Sequence, residues 1–230
     1  DAAPRARGAF DEHAEAQHRR WRLAPDDVAA LRANYAGKVA LIDDEVGRVV
    51  ATVRARGEWD RTVVVFTSDH GEMNGYAGLL YKSTFLDGAA RVPLVVRAPG
   101  ARAPGARCSA PVEAFDAAAT LVDLAGDILP GRFFCRSLRP MLDDPLARTR
   151  DEALCEYRRE IMLLDARWKC ALNASGDVYQ LFDRAADPFE SLNLAGDPDH
   201  RDVAAALARR VVARLPRRRA GDRGDAAPAR

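Results

Sequence analysis

The stretch Thr62-Val-Val-Val-Phe-Thr-Ser-Asp-His-Gly-Glu72 decides how this chain is read. Residues 62–67 are a short, continuous, β-branched run. Such a run predicts a strand buried on both faces, as in a parallel sheet, and not an alternating half-exposed one. It passes straight into Ser68, Asp69, His70 and Gly71. Upstream, Pro25-Asp26-Asp27 reads as a helix start, with Pro in the first turn and acids at the positive end of the dipole. Val28, Leu31, Tyr35, Val39, Ile42, Val46, Val49, Val50 and Val53 then recur every three or four residues until Gly57. This predicts a long amphipathic helix with a candidate break at 34–37. Helix followed by buried strand is half of an α/β unit, whose ligands gather beyond the carboxyl ends of the strands. Asp69 and His70 lie at that edge.

Working outward, residues 71–91 form a Gly-rich connection, and 92–97 form a second apolar strand. Residues 98–111 are a Pro/Gly loop. Residues 115–124 read as a helix stopped by Gly126. From about residue 151 the pattern changes. Residues 152–157, 161–165, 168–173 and 178–182 are short strand-like runs separated by turn residues, which predicts a small antiparallel sheet. Residues 201–215 carry helical periodicity, whereas 10–23 are a weaker helical stretch. The expected division is 1–150, 151–216 and a disordered charged tail at 217–230.

Composition bounds the function. The chain has 230 residues with 35 basic and 34 acidic side chains, a net charge of +1, so a polyanion or nucleic-acid binder is not the default reading. Hydrophobic residues make up 48%, enough for a sizeable core. No apolar run approaches the roughly 18 residues a membrane helix needs. No signal-peptide stretch is visible, which slightly favours a cytoplasmic location in a chain that starts at Asp1. The four cysteines form no C-x-x-C pair, and Cys155 and Cys170, in apolar runs, read as buried thiols. Only Lys38, Lys82 and Lys169 are lysine, against 32 arginines, so each lysine stands out.

An adjacent carboxylate and imidazole past a strand end can converge on one divalent metal, with Gly71 easing the turn. A hydrogen-bonded turn is the ordinary alternative. Lys82, ten or so residues on, can supply positive charge to sulfate or phosphate oxygens.

The wider string is more specific. Residues 35–47 (Tyr-Ala-Gly-Lys-Val-Ala-Leu-Ile-Asp-Asp-Glu-Val-Gly), Ser68-Asp-His-Gly-Glu72, Gly78-Leu-Leu-Tyr-Lys82 and Ala90-Arg-Val-Pro-Leu94 resemble the sulfatase family of the alkaline phosphatase superfamily. Residues 81–93 look like its choline-sulfatase-like branch. Residues 132–142, Trp168-Lys169, and Tyr179 through Asp187-Pro-Phe-Glu-Ser-Leu-Asn-Leu194 resemble its later segments. The resemblance implies an α/β fold. It would comprise the C-terminal part of an alkaline-phosphatase-like sheet sandwiched by helices, followed by a small antiparallel-sheet subdomain with a C-terminal helix. It also implies hydrolysis of a small-molecule sulfate monoester. Asp69 and His70 match a pair of metal ligands, with calcium the family's usual ion and manganese an option because imidazole is softer than calcium prefers. Lys82 matches the lysine that contacts the sulfate. His18, and less so His13, is a candidate for the family's general acid, with a solvated surface histidine as its alternative. Glu72 and Arg91 read as structural ion-pairing groups; Asp43 and Gly47 read as helix packing.

Two departures from the family stand out. Ala77 occupies a position where many relatives carry His or Arg. The family's formylglycine nucleophile, made from a Cys or Ser in a C-x-P-S-R-like motif, is not encoded here, nor is its other pair of acidic ligands. Cys135-Arg-Ser-Leu-Arg139 has the outline of that motif but aligns with a later segment. The chain therefore reads as the C-terminal half of a sulfatase, inactive alone. It is expected to associate through an exposed sheet edge or with an N-terminal half. A phosphonate or phosphate monoester hydrolase is the nearest alternative, and a non-catalytic fragment the other.

Overall fold

Helix α1, Pro25–Ala55, is continuous through Gly37 and Gly47, so the expected break at 34–37 is not there. Two glycines at about 1 kcal/mol each relative to alanine are small against 31 residues of helix. Pro25 in the first turn and Asp27, whose Oδ2 accepts the Ala24 N–H at 3.0 Å, fix the start. The computed structural model describes residues 23–128 and 134–214. The weak helical stretch at 10–23, His13, His18 and the tail at 217–230 lie outside them, apart from Leu23.

After α1 comes β1, Val64–Thr67, paired with β2, Leu94–Arg97. The register runs Val64↔Arg97 to Thr67↔Leu94 and is antiparallel. The expectation of a parallel, doubly buried β1 is corrected on both counts among the described residues: its observed partner is antiparallel, and Phe66 is 38% exposed. A continuous apolar run reports that both faces are apolar. It does not report strand direction, which here follows from the connection. That connection includes a one-turn helix α2, Asp87–Ala90, and returns the chain beside β1.

Helix α3, Phe115–Leu124, and the short α4, Arg139–Asp143, follow. Then β3 (Glu152–Tyr157), β4 (Glu160–Asp165), β5 (Trp168–Leu172) and β6 (Val178–Asp183) form a four-stranded antiparallel meander in sequence order. Helix α5, Arg201–Arg214, closes the described chain. The meander was expected, because turn residues at short intervals leave hairpins as the simplest connection.

The meander is buried on both faces, and side-chain alternation separates them. Leu163, Cys170 and Leu181 point to one face and pack with Leu207 and Val211 of α5. Met162 and Ala171 point to the other, against Phe85. Phe182 joins Met73, Leu79, Leu86 and Ala89 on that same side. Helix α5 thus covers one face of the small sheet, and the segment between β1 and β2 covers the other.

A buried ion cluster also ties the parts together. Arg150, just before β3, reaches Glu113 and Asp116 at the start of α3, with all three side chains nearly or wholly buried. Asp116 also takes the Arg136 N–H at 2.8 Å, and Thr120 Oγ1 takes the Leu138 N–H at 2.8 Å. Arg214 of α5 reaches Glu113 and Glu152.

A candidate active site at the end of the first strand

The β1 strand ends at Thr67, and the next three residues make a tight polar turn. Ser68 Oγ donates to the His70 carbonyl at 2.7 Å, and the His70 N–H donates to Asp69 Oδ1 at 2.9 Å. The second Asp69 oxygen, Oδ2, lies 3.4 Å from His70 Nε2, so carboxylate and imidazole converge. The His70 N–H is the chief cause holding the Asp69 carboxyl below its ordinary range, and the imidazole and Ser68 hydroxyl add to it. Asp69 is therefore ionised at neutral pH, as a cation ligand must be.

The imidazole is oriented by its other nitrogen. Nδ1 lies 2.8 Å from the Gly71 carbonyl, which only accepts, so Nδ1 carries the proton. In the neutral ring that leaves a lone pair on Nε2. Lys82 Nζ sits 2.9 Å from it. The sequence-level residues Asp69, His70 and Lys82 are thus brought to one place, across 12 residues of chain. Both Asp69 and His70 are open to solvent, with side chains 83% and 42% exposed.

An anionic oxygen beside a backbone-oriented imidazole lone pair suits a divalent ion. Two donors are only part of a ligand set. Among the described residues no group of three or more His, Cys, Asp or Glu is placed to hold a metal. The residues present fit one side of such a site.

Close backbone packing holds the turn in place. The Gly71 N–H donates to Ala89 O at 2.8 Å, and a Cβ at 71 would collide with the Gly88 carbonyl. Only glycine permits this approach of the turn to α2. Ala77 is buried among Met73 and Leu79.

Sequence reasoning missed several supports. Glu72 was read as an ion-pairing group. Its Oε1 instead accepts the backbone N–H groups of Tyr81 and of Asn74, the latter at 3.1 Å. Arg91 does pair, at 3.6 Å from Asp87. Tyr81 and Ser83, either side of Lys82, have φ of +65° and +79°, a region costing non-glycine residues about 1–3 kcal/mol each. Lys169 is buried and meets Asp87 and Glu190. One signal was available: a lysine inside the apolar run Trp168-Lys-Cys-Ala-Leu172 demands a buried partner.

Two other features drop out of the site. Cys135 sits in a segment tied to α3, where Ser137 reaches Asp123 and Arg136 reaches Thr149. A cavity near Arg150 is lined by arginines bonded to carboxylates or carbonyls, so their charge is already met there.

Two family models match the chain: "Sulfatase" over residues 2–128, and "N-sulphoglucosamine sulphohydrolase, C-terminal" over residues 75–216. It is 36% identical over 189 residues to a choline-sulfatase of Rhizobium meliloti, covering 76% of this chain and 35% of that protein. It is 33% identical over 208 residues to the multifunctional alkaline phosphatase superfamily protein PehA of Trinickia caryophylli, covering 81% of this chain and 40% of PehA. The fold matches the phosphonate monoester hydrolase of Silicibacter pomeroyi with a TM-score of 0.76 at 32% identity, over 84% of this chain and 42% of that one. The chain thus spans well under half the length of these relatives. A site turn, a lysine-bearing loop and a small sheet, arranged in one order and matched by two successive family models, place the chain in the sulfatase family of the alkaline phosphatase superfamily, as its C-terminal part.

Proposed function

We propose that these residues form the C-terminal part of a metal-dependent hydrolase of small sulfate monoesters. The convergence of Asp69 Oδ2, His70 Nε2 and Lys82 Nζ carries this reading. Asp69 and His70 would hold a divalent cation, calcium first and manganese second. When bound, the cation supplies Lewis-acid charge to the ester. Lys82, a compact and strongly hydrated charge, neutralises sulfate oxygens as negative charge builds on them. The Nδ1–H to Gly71 contact keeps the imidazole from rotating away.

The nucleophile and remaining metal ligands come from sequence N-terminal to the α/β segment, in the family formylglycine and a second acidic pair. We assign residues up to 150 to the catalytic unit and 151–216 to a smaller one. The apolar stripe of α1 and the unpaired edge of the β1–β2 ribbon are where the N-terminal portion would pack. Among the described residues, Leu31, Tyr35, Val39, Ile42 and Val49 are all exposed on α1. Among the same residues, no helix is long and apolar enough to cross a membrane. A phosphonate or phosphate monoester is the second reading, favoured by the likeness to the Silicibacter pomeroyi hydrolase. Tetrahedral anionic esters present the same oxygens to a metal and a lysine.

Purified alone, the 230 residues should not hydrolyse an aryl sulfate with calcium or manganese; turnover would overturn the assignment of the nucleophile. In the longer enzyme, Lys82→Ala should lower kcat/KM for the sulfate ester by about 10²–10³-fold. A phosphonate ester turned over faster than the sulfate would favour the second reading.

A further inference from the structure

We propose that Lys169, a residue of the small sheet, is a positioning residue for Lys82. The inference rests on the reading of Lys82 as the sulfate-binding lysine. The side chain of Lys169 is 1% exposed, on the face of β5 that meets the 71–91 segment. An ammonium has three protons, and here three acceptors surround it. Nζ donates to Phe85 O at 2.9 Å and to Asp87 Oδ1, and it meets Glu190 Oε1 as an ion pair. Glu190 turns its other oxygen to the Asp87 N–H at 2.8 Å. Arg184 reaches the second Asp87 oxygen at 3.0 Å. Lys169 and Arg184 thus face Asp87 and Glu190, and all of these contacts except the Lys169–Glu190 pair land on residues 85–87.

Stability alone does not call for this arrangement. A buried ion pair is often no more stabilising than apolar side chains of the same volume. A methionine would fill much the same space, but it could not fix the direction of the 85–87 backbone. That direction matters because residue 85 lies three positions after Lys82. Between them the chain holds Ser83 at a positive φ, with Tyr81 at a positive φ on the near side. Such conformations persist when both ends are fixed. At the near end, Glu72 takes the Tyr81 N–H, and the Met73 N–H donates to Tyr81 O at 2.7 Å. At the far end, Lys169, Asp87 and Glu190 do the holding. Lys82 is strung between these anchors, and its Nζ arrives 2.9 Å from His70.

The three lysines permit a direct test. A lysine-specific protease can cut this chain only after residues 38, 82 and 169. Asp87→Asn loosens the far anchor and leaves the Lys169–Glu190 pair in place. It should raise cutting after Lys82 by roughly tenfold, relative to cutting after Lys38, with Lys169 still protected. An unchanged ratio overturns the clamp. If Asp87→Asn exposes Lys169 to cutting, the fold has opened, and Glu190→Gln is read by the same ratio. In the longer enzyme, a positioning role requires non-additivity: Lys169→Met should lower kcat/KM in the parent but have little further effect once Lys82→Ala is present. Equal losses in both backgrounds would make Lys169 merely structural and overturn the inference. If Lys82→Ala itself costs nothing, the sulfate reading fails instead, and the protease ratio still decides whether the clamp exists.

Discussion

Helix α1 and the small sheet both carry apolar faces, yet they end in opposite states. The helix runs 31 residues with none buried. The sheet places Leu163, Cys170, Ala171 and Leu181 at 0% exposure, between α5 and the segment that carries Lys82. The difference teaches that the local pattern announces an apolar face, while stability comes only from what covers it. In the described chain the burial is concentrated in the later part. The site-bearing turn is held by a few backbone contacts and by that later part.

The largest expected effect tests this contrast directly. Leu163→Ala should cost about 2–5 kcal/mol in chemical denaturation, as a cavity in a packed core does. Ile42→Ala on the exposed α1 stripe should stay within about 0.5 kcal/mol. A comparable loss at Ile42 would show that the stripe is covered in solution and would break the contrast. A smaller effect sharpens it through pH. Burial alone would raise the Asp165 carboxyl, but the Trp168 and Arg167 N–H groups and the Arg210 guanidinium outweigh it and hold it below 3.8. A lowered folded value means that its stabilisation is complete above the ordinary value. It is lost as pH falls through the lowered one. Thermal midpoints should therefore drop as pH falls below about 4, and Asp165→Asn should flatten that drop. The smallest effect carries no stability change. Burial pushes the Cys170 thiol up to about 12, whereas Cys108 is exposed. A thiol reagent at pH 8 should label Cys108 promptly and Cys170 only on unfolding; early labelling of Cys170 would deny that the sheet is closed.

Much of this was legible in order along the chain. The start of α1 follows from Pro25, Asp26 and Asp27, and the meander follows from turn residues at short spacing. Asp69 and His70 are neighbours, so their meeting past a strand end needed only a turn. Lys82 was placed beside them by resemblance, since nothing local says that residue 82 returns to residue 70. The direction of β1 was misread because a continuous apolar run looks alike in either orientation. The Lys169 cluster was missed because its partners lie 84 residues before and 21 residues after it. Pairing over such distances is set by packing, not periodicity. Lys169 nonetheless stands out in the sequence as one of three lysines against 32 arginines.

The contact between Gly71 and Gly88 has a mechanical consequence. The backbone after His70 rests on the carbonyl of the residue next to Asp87, with no side chain between to act as a cushion. Asp87 in turn is gripped by Lys169. A displacement of the small sheet would therefore be passed to the Asp69–His70 turn and to the lysine loop alike. Both would feel the same movement, and their aim at whatever packs against them would change. The small sheet behaves as a mount for the site, and drift in it would misdirect the whole assembly.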